Sequence, residues 1–198
     1  MLDLTEKSCL IVGGGEIALR KAKSLLEAGA RVTVISPEVL PELEHLTGVS
    51  IIHRPYQPGD VSGYTLVFSA TDDHALNNKV ADEASRNGVP VNVVDDPELC
   101  SFIVPSLVRR GDLMIATTSS GKSPSLSKKI RQELEERYGP EYALLADLMG
   151  EARAEVKAKY ESHAEREAAF SRLLDGGILR LLREGRTQEA REMALQCI

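Results

Sequence analysis

The hydrophobic positions in the first half of the chain alternate between two rhythms. Ser8-Cys9-Leu10-Ile11-Val12 is a short apolar run without polar interruption, the pattern of a strand buried on both faces. It runs into Gly13-Gly14-Gly15. From Glu16 to Ala28, the residues Ala18, Ala22, Leu25 and Leu26 recur at helical spacing, and Gly29 closes the helix. Arg31–Ile35 reads as a second strand, ended by Ser36-Pro37, and Val49–His53 and Thr65–Ala70 as a third and fourth. Asp73 to Asn87 has Leu76, Val80 and Ala84 four apart and predicts another helix; Val89–Val94 predicts a fifth strand. Strand, helix and strand in this order predict crossover connections and a parallel sheet.

Beyond about residue 112 the pattern changes. Phe102–Val108 and Leu113–Thr118 read as two strands, joined through Arg109-Arg110-Gly111-Asp112 as a hairpin. From Pro124 onward the chain is helical in pattern. Leu126, Ile130 and Leu134 form one stripe. Leu145, Leu148, Met149, Ala152 and Val156 form a second, and Phe170, Leu173, Leu174, Ile178 and Leu181 a third. Thr187 is placed to cap a last short helix. The fold class predicted is α/β: a Rossmann-like doubly wound parallel sheet, then a small α+β region and a helical C-terminal region.

Composition narrows the class further. The 198 residues are 42% hydrophobic and 27% charged, as in ordinary globular domains. The net charge of -6 sits in the first 112 residues, with 10 basic and 16 acidic side chains; the remainder holds 14 of each. With no basic half, no Trp and three Phe, nucleic acid is not an expected partner. No apolar run is long enough to span a bilayer, so no membrane role is expected. Nor do the first residues have the basic-then-apolar order of a signal peptide. Cys9, Cys100 and Cys197 are odd in number and far apart, which favours a reducing cytoplasm over a disulfide framework. His45, His53, His74 and His163 lack ligand spacing, and no prebuilt metal site is expected.

The glycine triplet carries the first chemistry. Gly13-x-Gly15-x-x-Ala18 follows a strand and opens a helix. In that context the first Gly allows a tight turn, the second lets the backbone approach a pyrophosphate, and a small third residue lets helix and strand pack. Gly13, Gly14 and Gly15, with the amides of Glu16 and Ile17, are the predicted phosphate cradle. A simple turn is the plainer reading, but the flanking strand and helix favour a nucleotide. An acid normally ends the second strand to bind the ribose of NAD. Ser36 stands there instead, followed by Pro37-Glu38. Either Glu38 or Ser36 is left to bind the ribose. No basic residue ends that strand to receive a 2′-phosphate, which favours NAD over NADP.

Ligands in open parallel sheets bind beyond the carboxyl ends of the strands. Those ends bring Thr71, Asp72 and Asp73 after strand four, and Asp95 and Asp96 after strand five. Asp72, Asp73 and Asp96 read first as helix caps and turn residues, Asp96 at the Pro97 turn. For Asp95, spacing alone leaves a turn role and a general-base role equally open.

These segments together resemble the precorrin-2 dehydrogenases of sirohaem biosynthesis, including the N-terminal part of the multifunctional sirohaem synthases. The resemblance rests on Cys9–Gly15 through Ala18-x-Arg20-Lys21, Leu26–Ala30, Ala70–Asp73, Asn92–Asp95, Ser101–Ser106 and Ser119–Pro124, in family order from residue 9 to about 137. It implies an NAD-dependent oxidation of precorrin-2 to sirohydrochlorin, with Thr71 joining the cofactor-binding residues. It also implies that Asp95, closing Asn-Val-Val-Asp, is the general acid/base. In some family members the same site inserts ferrous iron, which leaves a lyase reading open. The family also implies a homodimer, with residues 1–112 as the NAD-binding domain, 113–140 as the dimerisation and substrate-cleft region, and 141–198 as the helical C-terminal region. Ser119 matches the phosphate-bearing serine of its Ser-Ser-Gly motif, although a turn role beside Gly121 remains a strong reading. For a substrate ringed by carboxylates, cations on the hairpin and following helix are the expected clamps: Arg109, Arg110 and Lys122, then Lys128 and Lys129, with Ser119 and Ser123 beside them. At least half of those cations are expected to be no more than solvated surface charge. A third reading, a non-catalytic nucleotide-sensing module, also fits such a domain order.

Overall fold

A computed structural model describes residues 2–175 and 177–198. The chain divides into two compact units, Met1–Val104 and Pro105–Ile198. The expected boundary at 112 lies inside the second unit, because both strands of the hairpin belong there.

The first unit is built on a five-stranded parallel sheet. Its strands are β1 (Ser8–Val12), β2 (Arg31–Ile35), β3 (Val49–Ile52), β4 (Leu66–Ser69) and β5 (Val91–Val93). Their order is β3-β2-β1-β4-β5, so the chain leaves β1 toward one edge and returns on its other side. That reversal places a crevice at the carboxyl end of β1, beside β4. The alternation within β1 shows why the sheet needs cover on both faces. Cys9 and Ile11 pack on one side with Ala18, Ala22 and Leu25 of α1 (Glu16–Glu27). Leu10 and Val12 pack on the other with Val80, Ala81 and Ala84 of α3 (His74–Arg86). Burying each large aliphatic side chain is worth about 1.5–3 kcal/mol. A short helix, α2 (Pro41–Glu44), lies between β2 and β3; the sequence pattern does not announce it.

β5 is shorter than the predicted run over 89–94. Pro90 lacks an N–H for the ladder and contributes only its carbonyl, which accepts from Val67 N at 2.9 Å. At the other end Asp95 has φ 61°, a left-handed conformation that turns the chain out of the sheet.

The second unit opens with the antiparallel pair β6 (Ser106–Arg110) and β7 (Leu113–Thr117). Arg110 pairs with Leu113, so the turn is Gly111-Asp112 alone, with Gly111 at φ 57°. Arg109 and Arg110, expected in the turn, are therefore strand residues, and Phe102–Val104 precede the strand. Among the described residues five helices follow: α4 (Pro124–Arg137), α5 (Glu141–Lys159), α6 (His163–Asp175), α7 (Ile178–Arg183) and α8 (Thr187–Cys197). The last four bury Leu145, Leu148, Val156, Leu173, Ile178 and Leu181 against one another. The α4 stripe behaves differently. Leu126 and Ile130 are 51% and 38% exposed, and Ser127 is the buried residue of that helix; its carbonyl accepts from Thr117 Oγ1 at 3.1 Å. Arg186, not Thr187, precedes the last helix, and no side chain caps it.

Candidate functional site

The glycine turn is closed on two sides and open on the third. Gly13 has φ 116°, and a Cβ there would lie 2.2 Å from Ala70 O, at the end of β4. A Cβ on Gly14 would lie 2.1 Å from Glu38 O. At Gly15 nothing stands within 4 Å of the same position. Gly13 and Gly14 are thus needed so that neighbouring backbone can close in, whereas Gly15 faces free space at the N-terminus of α1. Gly15 is that helix's N-cap without a side-chain bond, and the first-turn amides of Glu16 and Ile17 have no carbonyl one turn back. Ala18 is fully buried, as the close helix–strand packing requires. A cradle of amides, a positive helix end and a missing Cβ fit a pyrophosphate.

The segment after β2 forms one wall of this cradle. Leu40 N donates to Gly14 O at 2.9 Å, and the Ser36 hydroxyl donates to Glu38 O at 2.6 Å. Ser36 is nearly buried and its proton is committed to that turn, while the Glu38 side chain is exposed. Ser36, Pro37 and Glu38 therefore stand beside the glycine turn, held by the backbone rather than by a strand-end acid.

The opposite wall is the loop after β4. Its organiser is Asn77 on α3, which is 3% exposed. Asn77 Oδ1 accepts from Ser69 Oγ at 2.7 Å and from Thr71 Oγ1 at 2.8 Å, and Nδ2 donates to Thr71 O at 3.1 Å. Thr71 is thereby fixed next to the Ala70 carbonyl that packs on Gly13. Asp73 caps α3 through Ala75 N and Leu76 N, as its sequence position suggests. Asn77 escaped sequence reasoning because an Asn inside a helix carries no signal without its partners.

Asp95 stands on the turn beyond β5. Val94 N donates to Ser69 O at 2.9 Å, which ties this turn to the end of β4. The Asp95 side chain is exposed and makes no hydrogen bond among the described residues. Asp96 does not cap the Pro97 turn: its side chain makes no cap bond, Pro97 has no N–H to offer, and the Asp96 carbonyl is engaged by Cys100 at 3.2 Å. Nearby, Lys21 Nζ lies 4.9 Å from the centre of the Phe68 ring, and burial pushes its pKa down. Phe102 meets the same Phe68 ring edge-on at 5.5 Å.

The candidates of the second unit have other commitments. Arg110 donates through Nε to Tyr138 O at 2.8 Å and through Nη2 to Glu135 O at 3.1 Å, so its guanidinium covers the C-terminal carbonyls of α4. Arg109 is exposed, with Nη2 3.2 Å from Met114 Sδ. Ser119 Oγ accepts from Ser123 N at 2.9 Å, and Ser123 Oγ accepts from Leu126 N at 3.3 Å as the N-cap of α4. Lys122, Lys128 and Lys129 are exposed.

A parallel sheet of this order with a phosphate cradle at its switch point defines a nicotinamide-nucleotide-binding domain. The family described as "Putative NAD(P)-binding" matches residues 1–106, and the "Sirohaem synthase dimerisation region" matches 141–198. A siroheme synthase of Vesicomyosocius okutanii is 39% identical over 193 residues, and one of Pseudomonas aeruginosa 41% over 194; each match covers 96% of this chain. The chain spans about two fifths of the length of these relatives, 41% and 42%. The solved structure of SirC, a precorrin-2 dehydrogenase, superposes with a TM-score of 0.79 at 26% identity, covering 99% of this chain and 98% of that one. The chain belongs to the family described as putative NAD(P)-binding, and its C-terminal residues match the sirohaem synthase dimerisation region.

Proposed function

We propose that this protein oxidises precorrin-2 to sirohydrochlorin with NAD as the hydride acceptor. The observation that carries this reading is a chain of contacts at the switch point. Gly13 packs on Ala70, Ser69 binds Val94, and Asp95 is the next residue. One nucleotide cradle and one unpartnered carboxylate thus share the same end of the sheet. Bound NAD supplies the acceptor for the hydride. Gly15 and the amides of Glu16 and Ile17 hold its pyrophosphate. Ser36, Pro37 and Glu38 flank its ribose, and Thr71 lines the other wall. Asp95 takes the proton that leaves with the hydride, as a general base at the strand ends. Among the cations expected to clamp the substrate's carboxylates, Arg109, Lys122, Lys128 and Lys129 are exposed. The structural likeness to SirC and the siroheme synthase relatives support the substrate.

The test is absorbance. The purified protein with precorrin-2 and NAD is expected to form NADH and sirohydrochlorin together. Cofactor binding without either product would overturn the reading in favour of a sensor. A metal-dependent spectral change of sirohydrochlorin in the absence of NAD measures the iron-inserting reading separately. NAD over NADP is proposed because no cation ends β2. At least a tenfold preference in affinity is expected, about 1.4 kcal/mol by calorimetry.

A homodimer is proposed through the second unit. Leu107, Leu126 and Ile130 are exposed on β6 and α4, and the matched dimerisation region supports the assembly. Light scattering at micromolar concentration is expected to give twice the 21.6 kDa chain mass. Among the described residues no helix is long and apolar enough to cross a membrane. All three cysteines are unpaired, which supports a reducing compartment such as the cytoplasm.

A further inference from the structure

Cys100 lies at the centre of the turn that carries Asp95. Its Sγ accepts from Val93 N at 3.2 Å and from Asn92 Nδ2 at 3.4 Å. The same sulfur lies 3.2 Å from Val93 O and 3.2 Å from Asp96 O, so its one proton serves either carbonyl. These four contacts bracket Val94 and Asp95 from both sides. Asp95 itself is held at φ 61°, a conformation that costs a non-glycine residue energy and persists only where its surroundings impose it. No hydrogen bond among the described residues holds its side chain. The Ser101 hydroxyl reinforces the frame, accepting from Val91 N at 2.8 Å, and Asn92 Nδ2 reaches Phe102 O at 3.0 Å.

We infer that Cys100 is a positioning residue: it fixes the left-handed turn at Asp95 and thereby aims that carboxylate into the site. The inference rests on the proposed dehydrogenase reading. A neutral thiol suits the task, since it accepts and donates at once; burial, the largest cause, raises the Cys100 pKa and keeps the proton on sulfur. A thiolate would lose its bond to the Asp96 carbonyl. An apolar side chain would leave Val93 N and the Asp96 carbonyl without this partner. The turn would then sample conformations in which Asp95 points elsewhere. A base displaced by about 1 Å loses roughly 10²-fold in rate without any loss of binding.

The experiment is a double-mutant cycle on NADH formation with precorrin-2. Cys100→Ala is expected to lower kcat roughly 10- to 100-fold while the Kd for NAD stays within about twofold. Cys100→Ser, which keeps a donor and an acceptor on a shorter bond, is expected to recover most of that loss. In an Asp95→Ala background, Cys100→Ala is expected to have no further effect, because its action runs through Asp95. An equal loss in both backgrounds would overturn the inference, as would an unchanged kcat or a weakened NAD affinity of the same size. If Cys100→Ala does not fold, the same cycle with Cys100→Ser reads the same non-additivity on a smaller loss. Should Asp95→Ala itself keep full turnover, the dehydrogenase reading of Asp95 fails, and that outcome is distinct from the failure of the cycle.

Discussion

The two compact units treat their polar groups in opposite ways. In Met1–Val104 the candidate site is made mostly of backbone: amides at the start of α1, carbonyls of Glu38 and Ala70 against two glycines, and a turn forced open at Asp95. Ser36 and Asn77, both buried, and the half-buried Cys100 hold that backbone in place. In Pro105–Ile198 the candidate groups are side chains, and several already bond the unit's own backbone, as Arg110 does at Glu135 and Tyr138. A site made of backbone is dictated by local sequence spacing. A site made of long cations is not, because each cation has several places to go.

The comparison predicts that the largest loss of turnover lies in the first unit. Asp95→Ala is expected to reduce turnover by roughly 10²–10⁴-fold, the usual size of a general acid–base contribution. NAD affinity by calorimetry should be unchanged. Asp96→Ala should lose far less, since its role in the turn is played by the carbonyl that Cys100 engages. Equal losses in the two variants would move the base elsewhere and remove the strand-end carboxylate from the comparison.

The same contrast explains what could be read in advance. β1, the glycine turn and α1 were legible to within a residue, because strand, turn and helix follow one another and each has its own period. The parallel sheet followed from the alternation of elements. The end of β5 was not legible: Pro90 and the left-handed Asp95 shorten it, and the turn there is bracketed by contacts to Cys100, five residues on. Asn77 was invisible because its meaning lies in Ser69 and Thr71, on another element. In the second unit the apolar period of α4 correctly gave a helix but not its buried side. Ser127 faces the hairpin, and the Leu126–Ile130 stripe faces outward.

A second prediction separates the three glycines. Gly15→Leu is expected to weaken NAD binding by at least about tenfold, ~1.4 kcal/mol, with little change in stability, because its side chain enters only the open space at the start of α1, where the proposed pyrophosphate site lies. Gly14→Ala is expected to act the other way. Its Cβ meets Glu38 O at 2.1 Å and Val39 Cα at 2.8 Å, both backbone atoms, so the wall after β2 must shift. A stability loss of about 1–3 kcal/mol in chemical denaturation is the expected size. Unchanged NAD affinity in a folded Gly15→Leu protein would remove the phosphate cradle from the site.

The smallest effect is expected in the second unit, and it bears most directly on the comparison. Arg110 lies on β6, and its Nε and Nη2 reach the last carbonyls of α4. Those carbonyls have no amide partner further along the helix, and the helix end is electronegative, so a cation placed there is held by both effects. Arg110→Met keeps most of the apolar stem and removes the charge and both hydrogen bonds. The expected cost is about 1–2 kcal/mol in the unfolding free energy, read from denaturation. The KM for precorrin-2 should stay within about twofold if the guanidinium never leaves the helix end. Lys122→Met supplies the opposite case. Its side chain is exposed, with no hydrogen bond among the described residues, so stability should change by less than about 0.5 kcal/mol. Any rise in KM there would mark a cation that meets the substrate. A tenfold rise in KM for Arg110→Met with unchanged stability would break the comparison, because the guanidinium would then be a substrate clamp that only rests on α4 in the absence of its ligand.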